Sequence, residues 1–216
     1  MSKHIFWIAS YPKSGNTLLR AMLVSLFFHN EGKFSFDLLK YVAQLEQIER
    51  LSLIKKNEND FLQISELEVL SKYLLTLQTK KNLGFREDFA FFKTHFANFT
   101  LNNRPFTKEE NIRGIIYLIR DPRDICVSWA RHSNLSNENS ANFLTNKQAC
   151  ITWGGNVNLF KPIVPKVFLS SWDNHVNSWT KKNWDVPLLI IKYEELIHNK
   201  KEVLNNIISF FKKNYN

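Results

Sequence analysis

Cysteine is scarce in this sequence: 216 residues hold two, Cys126 and Cys150. Two thiols make no disulfide framework, so a stapled secreted scaffold is excluded and reduced thiols in a cytoplasm are expected. Glycine and proline are also scarce, at six each, which excludes collagen-like and linker-like chains. No apolar run is long enough to span a bilayer. The first strand is expected within a few residues of Met1, leaving no room for a signal peptide. There is no internal repeat, no low-complexity tract and no GxxxxGK[ST] phosphate loop. What the chain does have is aromatic residues, 18 Phe and 6 Trp, and positive charge: 29 Lys and Arg against 20 Asp and Glu, a net +9. Its length and 44% apolar fraction fit a single domain over residues 1–216 with a real core. The charge fits a nucleic acid, a membrane surface or a polyanionic small ligand. The basic residues are scattered and no nucleic-acid-binding module is recognisable, so no nucleic-acid partner is expected.

The most informative stretch is His4–Arg20, HIFWIASYPKSGNTLLR. Ile5–Ala9 is an apolar run rich in β-formers and too short for a core helix, which predicts a buried strand. Pro12 and Gly15 break the pattern. From Thr17 onward Leu18, Leu19, Met22, Leu23, Leu26 and Phe27 recur at helical spacing. A strand, a tight loop and a helix direct backbone N–H groups and the positive end of a helix dipole at one spot, which is an anion site. Lys13 adds a mobile cation, Ser14, Asn16 and Thr17 add side-chain donors, and Gly15 lets the backbone approach a ligand closely.

Further along, Phe36–Lys81 predicts helix, with Leu38, Leu39, Val42 and Leu45 on one face, a polar break at Lys55–Asp60 and a capping box at Ser65 and Glu68. Phe89–Thr94 and Gly114–Ile119 predict buried strands, with Asn98–Thr107 a polar loop between them. Asp121 suits a helix cap and Pro122 the first helical position. Asn134–Lys166 reads as a long irregular segment, Ser170–Lys182 as helix, Leu188–Ile191 as strand and Lys201–Lys212 as a final amphipathic helix. Strands alternating with helices imply an α/β fold, a mostly parallel sheet with helices on both faces. Ligands of such folds sit at the carboxyl ends of strands. Lys13, His95 and Arg120 each follow a predicted strand.

These residues suit transfer of a charged group. Lys13 and the loop amides could hold a leaving phosphate. His95 is the candidate general base, because its unperturbed pKa lies close to neutral. Lys93 shares its strand face. Arg120 and Ser128 could bind a second phosphate. Taken alone, Arg120 could merely cap or salt-bridge Asp121 or Asp124, Ser128 reads as a small packing residue, and Tyr193 could be core. His4, His29, His132, His175 and His198 read as structural or surface residues. Trp153 and Phe160 fit either an acceptor pocket or the core.

The loop YPKSGNT resembles the 5′-phosphosulfate-binding loop of the cytosolic-type sulfotransferases. Lys93-Thr94-His95 is similar to the family's KTH segment, which carries its catalytic base. Ile115–Ser128, IIYLIRDPRDICVS, resembles its 3′-phosphate-binding motif, with Arg120 and Ser128 at the phosphate-holding positions. Trp172–Trp179 and Leu189–Leu196 are similar to later family segments, which would put Tyr193 near an adenine. The resemblance implies a P-loop-like fold and PAPS (3′-phosphoadenosine 5′-phosphosulfate) as donor. It also implies no metal, and a hydroxyl or amine of a small molecule or glycan as acceptor; it assigns no oligomeric state. Lys13, Lys93 and His95 would be catalytic. Lys13, Ser14, Gly15, Asn16, Thr17, Arg120, Ser128 and Tyr193 would bind the donor. Two departures stand out. Leu18 replaces a Trp that packs on the adenine, and the family's Arg-Lys-Gly segment is absent before Asn216. The second suggests truncation, a substitute for that segment, or impaired donor binding. It keeps a catalytically silent PAP or PAPS binder as the alternative, beside another P-loop-like phosphotransferase.

Overall fold

The computed structural model describes residues 3–45, 66–85, 87–152, 166–181 and 184–215. Its centre is a five-stranded parallel sheet in the order β2-β3-β1-β6-β9, formed by Val42–Gln44 (β2), Ala90–Thr94 (β3), Ile5–Ser10 (β1), Ile112–Ile119 (β6) and Leu188–Lys192 (β9). Every residue of β1 is buried. A strand covered on both faces reads as a continuous apolar run, and IFWIA does. Trp7 and Ile5 face one core layer with Phe92, Phe106 and Trp179. Phe6 and Ile8 face the other with Leu19, Leu23 and Ile207. Each such side chain contributes roughly 1.5–3 kcal/mol on burial.

The helix after β1, α1, spans Asn16–Phe28 and packs its buried Leu19, Leu23 and Val24 on the second layer. The helix Pro122–Ser133 follows β6, with Pro122 in its first turn and the Asp121 carboxylate accepting from the Arg123 backbone N–H as cap. Both capping expectations hold. So do the strands over 90–94 and 112–119, the helix Trp172–Thr180 and the closing helix Lys200–Tyr215.

Three expectations are corrected. Val42 belongs to no helix face: Phe36–Tyr41 is a 3-10 turn and Val42–Gln44 is an edge strand paired with β3. The ladder to β3 outweighs a weak local helical pattern. The polar loop 98–107 contains a hairpin, Thr100–Leu101 (β4) with Arg104–Pro105 (β5). Its turn residues Asn102 and Asn103 both have positive φ, 49° and 61°, the two-residue primed turn that asparagine tolerates. The segment taken as irregular holds a helix, Asn137–Thr145, and the strand Cys150–Thr152 (β7), which pairs with Lys166–Phe168 (β8). The polar break at 55–60, Ser65 of the capping box, Trp153 and Phe160 lie outside the described residues. Among the described residues no helix is long and apolar enough to cross a membrane.

Candidate active site

The carboxyl ends of β2, β3, β1, β6 and β9 open onto one cavity of about 620 Å³. Its floor is the loop between β1 and α1. Gly15 is the N-cap of α1 with φ 91°, no side chain caps the helix, and its first turn holds no acidic residue. The amides and dipole of this helix end are therefore left for an anion. Tyr193 lies so close that a Cβ on Gly15 would sit 2.5 Å from its ring. Lys13 keeps φ 66°, a left-handed conformation for a non-glycine residue.

Lys13, Gly15, Asn16 and Thr17 line the cavity. Ser14 does not: it is 1% exposed, and its hydroxyl is buried in the loop without a protein partner. Asn16 turns its amide back to the protein, donating to the Ile8 carbonyl at 3.3 Å and to Ser10 Oγ at 3.1 Å. Its side chain thus braces the loop on β1.

Lys93 and His95 both line the cavity, as alternation along β3 predicts. His95 Nδ1 lies 2.7 Å from the Ser10 carbonyl, so Nδ1–H donates there and the basic lone pair falls on Nε2. Burial lowers its pKa well below the ordinary imidazole value, and the Lys93 ammonium pushes it the same way against the Ser10 bond. The His95 carbonyl accepts from His175 Nε2 at 3.0 Å, and His175 Nδ1 accepts from the Tyr117 hydroxyl at 2.8 Å. His175 is fully buried, and that burial lowers its pKa to about 4. Its structural reading stands.

Arg120, Ser128 and Tyr193 line the opposite side. Arg120 Nη1 donates to the Lys13 carbonyl at 2.8 Å, and its guanidinium lies 4.1 Å over the Tyr193 ring. It pairs with neither Asp121 nor Asp124; Asp121 is held by Arg123. Leu18 packs with the second core layer and lines a separate apolar groove.

The cavity also gathers residues that the sequence reading missed: Arg20, Gln44, Trp129 and His132. Gln44 Oε1 accepts from Lys93 Nζ at 3.3 Å, an arrangement visible only once residues 42–44 are known as a strand beside β3. Arg20, one turn beyond Asn16 on α1, was identifiable from helical spacing alone. Among the described residues no Asp or Glu lines the cavity. Among the described residues there is no group of three His, Cys, Asp or Glu that could hold a metal ion. The arrangement can bind a polyanion across β1 and β6 while His95 takes a proton beside it.

The family described as the sulfotransferase domain matches residues 3–216. The chain is 30% identical to mouse (Mus musculus) sulfotransferase 1B1 over 95% of its length and 58% of that protein's. It is 28% identical to the dog (Canis lupus familiaris) sulfotransferase 1B1 over 97% of this chain and 59% of that one. Among solved structures it resembles mouse sulfotransferase SULT7A1 complexed with PAP, at TM-score 0.52 and 16% identity, over 100% of this chain and 61% of that one. It also resembles retinol dehydratase in complex with androsterone and PAP, at TM-score 0.54 and 18% identity, over 98% and 60%. The chain thus spans about three fifths of the length of these relatives.

Proposed function

The chain belongs to the sulfotransferase family, and from that premise we propose that it moves a sulfuryl group from PAPS to a hydroxyl, or an amine, of a small-molecule or glycan acceptor. The observation that carries this reading is the pairing of His95, its Nδ1 committed to Ser10 and its basic nitrogen Nε2, with a helix end that no side chain caps and Lys13 in one cavity.

The roles follow from charge and position. The loop amides and Lys13 bind the 5′-phosphate that leaves; the Ser14 hydroxyl, buried in the loop, takes no part. Arg120 and Ser128 bind the 3′-phosphate, and Tyr193 lies beside the base. As the acceptor oxygen bonds to sulfur, the bond from sulfur to the phosphate oxygen breaks. The acceptor's proton passes to His95 Nε2, and the electron pair stays on the leaving phosphate, where the Lys13 ammonium offsets it. The lowered pKa of His95 favours the neutral base at physiological pH. Retained in the free enzyme, it also makes the rate insensitive to mild acidification.

The test is titration with PAP beside transfer from labelled PAPS to phenols, alcohols and sugars. His95→Ala should bind PAP almost normally and lose roughly 10²–10⁴-fold in transfer. An unchanged rate would remove His95 as base. A wild type that binds PAP and transfers to nothing would support the silent-binder reading.

A further inference from the structure

The sheet order divides the cavity. β6 and β9 lie on one side of β1, and β2 and β3 on the other. Lys13 and Arg120, joined by their 2.8 Å hydrogen bond, belong to the β1–β6 half. Among the described lining residues, the β2–β3 half holds the other two full cations, Arg20 and Lys93, with Gln44 and His95. Arg20 is anchored there: its Nη2 donates to the Val42 carbonyl at 2.7 Å and to the Leu39 carbonyl at 3.1 Å, the backbone that leads into β2. Both partners are neutral. Arg20 Nε is buried without a partner. Among the described residues no carboxylate lines the cavity and no ion pair includes Arg20.

A half-buried guanidinium held only by carbonyls has lost hydration without gaining an opposite charge. Burial lowers its pKa accordingly. The donor does not supply that charge on the reading above, because its two phosphates lie on Lys13, the loop and Arg120. Lys93 stands beside the base, where the sulfuryl group passes. Arg20 is left over, with its planar fork fixed in the half that receives the acceptor. A fixed guanidinium matches a carboxylate better than any neutral group. We propose that Arg20 is an anion-recognising residue for the acceptor, and that the acceptor carries a carboxylate or similar anionic group beside the hydroxyl it presents to His95. This rests on the donor-and-base reading of the same site.

The test uses the full chain saturated with PAP, titrated calorimetrically with 4-hydroxybenzoate and with its neutral counterpart 4-hydroxybenzamide, followed by transfer assays with the same pair. The carboxylate should bind roughly tenfold to hundredfold more tightly, the scale of one charge-assisted hydrogen bond. That preference should shrink with added salt. Arg20→Gln should abolish it and Arg20→Lys should keep most of it. Equal binding of the two by wild type overturns the inference and leaves the sulfotransferase reading intact, as does a preference that survives Arg20→Gln. Failure to bind PAP at all overturns both. Because Arg20 also braces β2, Arg20→Gln could fail to fold; the wild-type comparison and its salt dependence then decide alone.

Discussion

Acidification should destabilise this protein through two buried histidines. His175 is fully enclosed, donating to the His95 carbonyl and accepting from Tyr117, and its pKa falls from 6.5 to about 4. His95 shifts in the same direction. Above pH 6.5 the imidazoles are mostly neutral in both folded and unfolded chains, so the shift contributes little. Below it the unfolded chain takes up protons that the folded chain refuses, and stability drops until the folded pKa is reached. For His175 that window, 6.5 to about 4, corresponds to about 3 kcal/mol at 1.36 kcal/mol per unit. His95 adds to it, against a total stability on the order of 5–15 kcal/mol. The assay is urea unfolding at pH 7.5, 6.5, 5.5 and 5, a range in which ordinary carboxylates stay ionised. The slope from pH 6.5 downward should approach about 1.4 kcal/mol per pH unit from His175, with His95 adding in the same direction. His175→Gln should remove the His175 share of it. A flat stability between pH 6.5 and 5, or a slope untouched by His175→Gln, would refute the reasoning.

Two further outcomes follow from the loop and the cation opposite it. Gly15→Ala places a side chain at φ 91° and 2.5 Å from the Tyr193 ring; it should cost roughly 1–2 kcal/mol from the backbone alone. It should also displace Tyr193 and weaken PAP binding; unchanged urea midpoint and PAP affinity would contradict this. Arg120→Ala should erase most of the difference between the thermal shifts given by PAP and AMP, a loss of roughly 1.5–3 kcal/mol. If wild type responds equally to both nucleotides, there is no 3′-phosphate site at Arg120.

The central half of the molecule was legible because its signals are local. IFWIA followed by Pro12, Gly15 and a 3.6-residue leucine spacing can hardly be other than strand, loop and helix, and Asp121-Pro122 announces its own cap. What escaped depends on distant partners. Val42–Gln44 is a strand only because β3 offers a ladder, so Gln44 could not be read as a cavity residue. The asparagine-rich stretch looked irregular by composition. Yet Ser136, whose hydroxyl accepts from the Asn139 backbone N–H, marks the start of the helix Asn137–Thr145. Asn102-Asn103 was a turn signal passed over as loop polarity. Among the site residues, alternation placed Lys93 with His95 correctly. No pattern showed that the Asn16 amide turns inward, or that Ser14 is sealed beneath the loop.

The left-handed backbone of Lys13 has a consequence for any attempt to make this protein hardier. At φ 66° a glycine would sit more comfortably than lysine. A library screened for heat resistance alone would favour replacing this residue. The winners would fold better, keep the same sheet and have lost the ammonium from the cavity floor. On the role proposed for Lys13, folding and chemistry select in opposite directions at this position, so a robust variant and a working one are different molecules.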